Sequence, residues 1–223
     1  MTQGIIFAAA GERYVGEAEA AFDRISEVWP GIAATIFKFH PDDRPVQKYR
    51  MKAMQASPYE LTICMDTDTY LVEPVPELFE VLENFDCALP LADVRHVYPI
   101  DAPECFYEFN PGVFAFKQSP RMTNFLIDWE RRFDQHYDML NGVSHPEVGW
   151  FHSQPSFTEA MYYSTLRIAP LGQEYNWRGN GYVHRKVKIV HKRPNPQEEA
   201  KRINVTANKP RIAFPHDPVR VWR

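Results

Sequence analysis

Short apolar runs and stretches of three- and four-residue apolar spacing take turns along this chain, and each change of period marks an element boundary. Gly4-Ile-Ile-Phe-Ala-Ala-Ala10 is the first run, broken by Gly11-Glu-Arg-Tyr14. From Glu17 to Trp29, the residues Ala18, Ala21, Phe22, Ile25, Val28 and Trp29 recur at helical spacing until Pro30-Gly31 stops them, which predicts an amphipathic helix. Ile32 to Phe39 reads as a second strand, and Pro45 to Ala56 as a second helix with Tyr49, Met51 and Lys52 near its inner face. Leu61-Thr-Ile-Cys-Met-Asp66-Thr67-Asp68-Thr-Tyr-Leu-Val72 follows the turn signal Ser57-Pro58; apolar on both faces, it reads as a buried strand of a sheet interior. Strand, helix, strand, helix, strand implies right-handed crossovers and parallel pairing, with helices on the sheet faces.

Beyond Pro74 and Pro76 a helix carrying Leu78, Phe79, Val81 and Leu82 is predicted, then a short strand over Asp86 to Pro90. Ala92 to Phe109 has no clean period and reads as a loop of the kind that carries binding residues. Asn110-Pro-Gly112 precedes a strand over Val113 to Phe116, and Ser119-Pro120 caps a helix whose stripe is Met122, Phe125, Leu126, Trp129 and Phe133. Those aromatics are expected in the core. Tyr137 to His152 is irregular, Gln154 to about Tyr163 a short helix, and Leu166 to Leu171 a strand. The polar-aromatic loop Glu174-Tyr-Asn176-Trp177 leads to Lys186-Val-Lys-Ile-Val-His191, whose alternation predicts a half-exposed strand near an edge. The Pro-, Asn-, Lys- and Arg-rich remainder, 193–223, is expected to be an irregular basic tail.

Composition narrows the class without choosing a function. A chain of 223 residues with 44% hydrophobic and 24% charged residues is most simply one folded domain. A net charge of −4 supplies no basic field, so no nucleic-acid partner is expected. Cys64, Cys87 and Cys105 are odd in number and widely spaced, which fits a reducing compartment. With no signal-peptide pattern and no run of membrane-spanning length, a cytoplasmic protein without a transmembrane segment is expected, and the Asn204-Val-Thr206 sequon is expected to be idle.

Chemistry concentrates where the third strand ends. Ligands of open α/β sheets bind at the carboxyl ends of strands, and residues two apart in extended backbone point the same way, so Asp66 and Asp68 can face one point. Two carboxylates that close call for a cation, and Mg²⁺ or Mn²⁺ held by one or two carboxylates and completed by substrate phosphates is the common solution. The plainer alternative is that Asp66 caps a turn and Asp68 is solvated.

Taken in order, Phe7-Ala-Ala-Ala-Gly11-x-x-Tyr14, Lys52, Ser57-Pro58-Tyr-Glu60, Met65-Asp-Thr-Asp-Thr69, Phe109-Asn-Pro-Gly-Val113, Gln154-Pro-Ser-Phe157, Glu174-Tyr-Asn-Trp177 and Ile189-Val-His191 resemble glycosyltransferases of the GT-A fold. The nearest flavour is family eight, the glycogenin and lipopolysaccharide galactosyltransferase group, over roughly residues 4–192. The resemblance implies a single α/β domain with a mixed, Rossmann-like sheet flanked by helices. It divides into a nucleotide-binding half over about 1–90 and a sugar and acceptor half over about 91–192. It also implies transfer of a sugar from a nucleotide-diphosphate sugar, a UDP-sugar, with retention, to a glycan, lipid-linked glycan or protein acceptor. Residue by residue, Asp66, Asp68 and His191 would hold Mn²⁺ or Mg²⁺; Tyr14 would stack on the base; Ala8, Ala9 and Ala10 would line the base and ribose pocket. Lys52 and Thr67 would approach the donor, Asn110 and Gly112 would border its sugar, and Gln154 would sit by the reacting carbon, with Gln154, Asn110 and Asp68 the catalytic set.

The chain departs from that pattern twice. Ser153 stands where the group has an acid, with Glu159 a candidate replacement, and the usual glycine and lysine after the late histidine are missing. Lys192 and Arg193 are the candidates to neutralise the leaving diphosphate in their stead. Two other functions compete: a degenerate domain that binds carbohydrate or protein without turnover, and a sugar-1-phosphate nucleotidyltransferase. The latter would need a Gly-rich phosphate loop after the first strand, where Gly11-Glu-Arg-Tyr14 offers little glycine.

Overall fold

The computed structural model describes residues 1–40, 45, 47–92, 101–139, 153–207, 209–215 and 217–221. Its main sheet is built from β1 (Gln3–Ala10), β2 (Ala33–Phe39), β3 (Leu61–Met65), β5 (Cys87–Pro90), β6 (Val113–Lys117) and β7 (Ile168–Leu171), in the order β2-β1-β3-β6-β5-β7. β1 pairs in parallel with β2 and β3, as the strand-helix rhythm requires. β6 runs antiparallel to both β3 and β5, and β7 returns parallel to β5, so the sheet is mixed.

Period-two alternation sends side chains from each strand into two core layers. Ile5, Phe7 and Ala9 of β1, with Ile63 and Met65 of β3, meet Ala18, Ala21 and Ile25 of α1 (Glu12–Val28) and Leu78 and Phe79 of α3 (Glu77–Glu80). Ile6, Cys64, Phe114 and Phe116 face the other way. There they pack on Met51 and Met54 of α2 (Gln47–Gln55), the expected stripe of α4 (Pro120–Met139), and Phe157 of α5 (Gln154–Tyr163). Trp129 and Phe157 stack edge-on with ring centroids 4.7 Å apart, so α4 and α5 are fixed against the same sheet face.

Several boundaries differ from the sequence expectation. α1 starts at Glu12, because Gly11 at φ 87° turns the chain directly from β1 into the helix; the first turn is polar and exposed, and apolar periodicity does not register it. The expected third strand is split: after β3 the chain turns and resumes as β4 (Thr69–Leu71), which pairs antiparallel with β9 (Ile189–His191). β9 is buried at all three residues rather than half exposed, since Ile189 joins the main core while Val190 joins a third cluster with Trp177, Ala200 and Ile203.

That third cluster also corrects the reading of 193–223 as irregular. Its described part forms α6 (Pro196–Asn204) and the strands β10 (Arg211–Ala213) and β11 (Arg220–Val221), which pair with β8 (Gly181–Val183) in the order β11-β10-β8. α6 carries Pro196 at its start, Glu198 and Glu199 in its first turn and Lys201 and Arg202 in its last, the charge order that suits the helix dipole. Asn204 gives its side chain to Val187, accepting from its N–H at 2.8 Å and donating to its carbonyl at 2.9 Å. Residues 93–100 of the expected loop and 140–152 of the second irregular stretch lie outside the described residues. Cys64 and Cys87 are buried free thiols and Cys105 is exposed. Among the described residues no helix is long and apolar enough to cross a membrane.

Candidate functional site

At the carboxyl end of β3 the backbone makes a tight turn. The Asp66 N–H donates to the Gly112 carbonyl at 2.9 Å, and the Asp66 carbonyl accepts from the Thr69 N–H at 3.2 Å and the Thr69 hydroxyl at 2.7 Å. The turn is thus held by the backbone of Asp66 rather than by its carboxylate. Thr67 is pinned from the side, its hydroxyl donating at 2.9 Å to Glu17 of α1, which also pairs with Arg13.

Because Thr69 is opposite His191 in the β4–β9 register, and the Lys192 N–H donates to the Asp68 carbonyl at 3.0 Å, the late histidine arrives beside both aspartates. Its Nε2 lies 3.1 Å from Asp68 Oδ1 and 3.4 Å from Asp66 Oδ2. One ligand atom from each of the three residues falls within 4.8 Å of the others. On the other ring nitrogen, Nδ1 is 2.7 Å from Asn176 Oδ1. Burial pushes His191 below the ordinary imidazole range, further than the Asp68 carboxylate raises it. With Nδ1–H donated to Asn176, a neutral ring would offer its Nε2 lone pair to a cation shared with the two carboxylates. Two carboxylates and one imidazole with a fixed outer partner form a donor set that fits a divalent ion.

Gly112 closes this side. A methyl there would sit 2.5 Å from His191 Cε1 and 2.7 Å from Nδ1, so only glycine lets the loop before β6 lie flat against the ring. Its N–H donates to Asn110 Oδ1 at 2.9 Å. Gln154, at the start of α5, donates its amide to the Phe109 carbonyl and so holds the same loop from the opposite end.

The structure brings Asp66, Thr67, Asp68, Asn110, Gly112, His191 and Lys192 together, and the charge of Lys192 reaches Asp68. Other expected positions sit differently. Ala9 is fully buried in the α1 layer, Ala10 is buried and Ala8 packs against the second core layer, so a base near β1 would meet mostly backbone. Tyr14 is exposed on the first turn of α1 beside Arg13. From α2 it is Arg50 that pairs with Asp66; Lys52, expected to approach the donor, lies two positions further on, toward the opposite side of the helix. Burial lowers Arg50 from the ordinary arginine value. Glu159 is committed elsewhere, accepting from the Asp101 N–H at 2.9 Å and pairing with Arg132 and His136. Arg193 lies against Gly179, and its charge acts on Glu199. Reading the sequence missed Arg50, Glu17 and Asn176. Asn176 was visible inside Glu174-Tyr-Asn-Trp177, but its service to His191 is a contact across fifteen residues.

No protein-family model matches the chain, and no curated protein sequence matches it. The fold is the GT-A fold expected from the sequence, as found in solved glycosyltransferase structures. Two of these are of the galactosyltransferase LgtC. One, in complex with donor and acceptor sugar analogs, shares 10% identity at a TM-score of 0.54, over 78% of this chain and 74% of that one. The other, an active-site mutant of LgtC, shares 10% identity at a TM-score of 0.56, over 84% of this chain and 86% of that one.

Proposed function

We propose that this protein is a glycosyltransferase that takes a sugar from a nucleotide-diphosphate sugar, a UDP-sugar, and passes it with retention to a glycan, lipid-linked glycan or protein acceptor. The observation that carries this reading is the convergence of Asp66, Asp68 and His191, from two strand ends far apart in sequence, in a fold shared with a galactosyltransferase. Mn²⁺ or Mg²⁺ held by those three residues would supply the Lewis-acid charge that stabilises a departing diphosphate. Imidazole in the set favours Mn²⁺. Asn176 keeps His191 in the ligating tautomer, Gly112 and Asn110 form the wall against which the sugar lies, and Gln154 fixes that wall through Phe109. In this reading residues 1–90 are the nucleotide-binding half, residues 91–192 the sugar and acceptor half, and the protein works in a reducing, cytoplasmic setting.

Ser153 favours the rival of a binding module without turnover: its carbonyl caps α5, accepting from the Phe157 N–H at 2.9 Å, and it brings no acid to the site. The nucleotidyltransferase reading loses ground because α1 begins immediately after Gly11, leaving no phosphate loop. Incubation with a panel of UDP-sugars and Mn²⁺ separates the first two. Slow, metal-dependent release of UDP is expected with at least one donor even without acceptor, whereas binding without any release marks the module.

Tyr14 tests the base assignment. If the exposed ring stacks on uracil, Tyr14→Ala weakens UDP binding by roughly 1–3 kcal/mol with no loss of melting temperature. Unchanged UDP affinity places the base elsewhere.

A further inference from the structure

Charge is segregated along this chain in a way that the metal-capable cluster leaves unused. Residues 1–177 hold thirteen lysines and arginines against twenty-six acids, whereas residues 178–223 hold twelve against three. The end of the chain is thus strongly basic on an acidic body. Within it, period-two alternation gives β8, β10 and β11 two unlike faces. Val183 and Ala213 point into the third core cluster, and Arg211 is buried with them, donating to the carbonyls of Thr206 and Lys209 at 2.8 Å. The opposite face carries the row Tyr182, Ile212 and Arg220, one residue from each strand of the register. In the same phase follow His184, whose ring centroid is 4.5 Å from that of Tyr182, and Phe214. Tyr182 is 40% and Phe214 43% exposed, and His184 and Arg220 are exposed too, so this face is open to solvent.

The acids of this region do not neutralise it. In α6, Glu198 pairs with Lys201 and Glu199 with Arg202, so both are matched within the helix, and Asp217 is the one acid left. Arg185, Lys209 and Arg220 are exposed, and among the described residues none of the three pairs with a carboxylate. Exposed rings and an aliphatic side chain set among unmatched cations suit an anionic bilayer, where the rings enter the headgroup region and the cations meet lipid phosphates. We infer that the outer face of the β11-β10-β8 sheet is a peripheral docking surface for a membrane rich in anionic lipid. A second copy of the chain would bring basic face against basic face in a two-fold contact, and a nucleic acid would be repelled by the acidic body. The inference goes beyond the glycosyltransferase reading and does not depend on it.

The test is co-sedimentation of the full chain with vesicles of phosphatidylcholine alone and of phosphatidylcholine mixed with phosphatidylglycerol. Binding to the mixed vesicles and not to phosphatidylcholine is expected, and it weakens as salt is added. Each cation near an anionic surface is worth about fivefold in partition, so Arg185→Gln combined with Arg220→Gln loses roughly twentyfold. Tyr182→Ser combined with Phe214→Ser lowers binding about tenfold by removing the apolar contact, and leaves the salt dependence in place. All four side chains are exposed, so both double variants keep the wild-type melting temperature and the wild-type release of UDP from soluble donors. A wild type that stays off the mixed vesicles, double variants that bind them as the wild type does, or tighter retention on an RNA homopolymer than on the mixed vesicles overturns the surface. UDP release that persists in any of these cases leaves the glycosyltransferase reading standing.

Discussion

Asp68→Asn is expected to abolish metal-dependent release of UDP while the protein stays folded. Asparagine keeps the shape and one oxygen but removes a full charge from a donor set built around a cation, so a loss on the order of a hundredfold or more in metal affinity follows. The fold has little at stake: the Asp68 side chain is 38% exposed, and the contact that joins the turn to β9 uses its backbone carbonyl, which accepts from the Lys192 N–H. Burial works against the Asp68 charge, but His191 and Lys192 outweigh it and hold the carboxyl below the ordinary carboxylate range, so the metal-free melting temperature is expected to fall slightly while the protein stays folded. His191→Ala is a poorer probe, since His191 is only 4% exposed and its removal also leaves a cavity. Full metal-dependent activity in Asp68→Asn contradicts the assignment of this cluster.

The second large effect is expected from a single methyl. In Gly112→Ala the new carbon would sit 2.5 Å from His191 Cε1 and 2.9 Å from Asn110 Oδ1. Neither side can retreat freely. The Gly112 carbonyl accepts from Asp66 and its N–H donates to Asn110, while His191 is fixed by β9 pairing and by Asn176. Overpacking of this kind costs about 1–3 kcal/mol, and relief by rotating His191 would carry Nε2 away from the aspartates. The Mn²⁺ concentration needed to support UDP binding should rise at least about tenfold, which corresponds to about 1.4 kcal/mol and is comparable to the drop in stability. An unaltered Mn²⁺ dependence would mean that the ring is not a ligand.

The parts of this molecule that were legible in its sequence are those governed by local pattern. Apolar runs gave the buried strands β1, β3 and β6 and the partly exposed edge strand β2, and the Met122 to Phe133 stripe gave α4. The Asp66-Thr-Asp68 turn was legible because a strand end and two like charges are both sequence properties. Arg50 and Asn176 were not: an arginine or asparagine is ordinary in any helix or loop, and only the fold shows which one meets a partner distant in sequence. The reading of 193–223 as irregular failed because α6 and the short strands β8, β10 and β11 owe their order to packing on Trp177 and Val190 rather than to strong periodicity of their own.

The central claim is that Asp66, Asp68 and His191 share an ion that a nucleotide diphosphate completes. Metal and nucleotide must then be thermodynamically linked, each tightening the other by one common factor. Titration of UDP into the protein by calorimetry, once with Mn²⁺ and once with chelator, measures that factor directly. Tighter binding with Mn²⁺, by tenfold or more on the scale typical of coupled sites, and loss of the difference in Asp68→Asn is the expected result; the same UDP affinity with Mn²⁺ and with chelator would contradict the account.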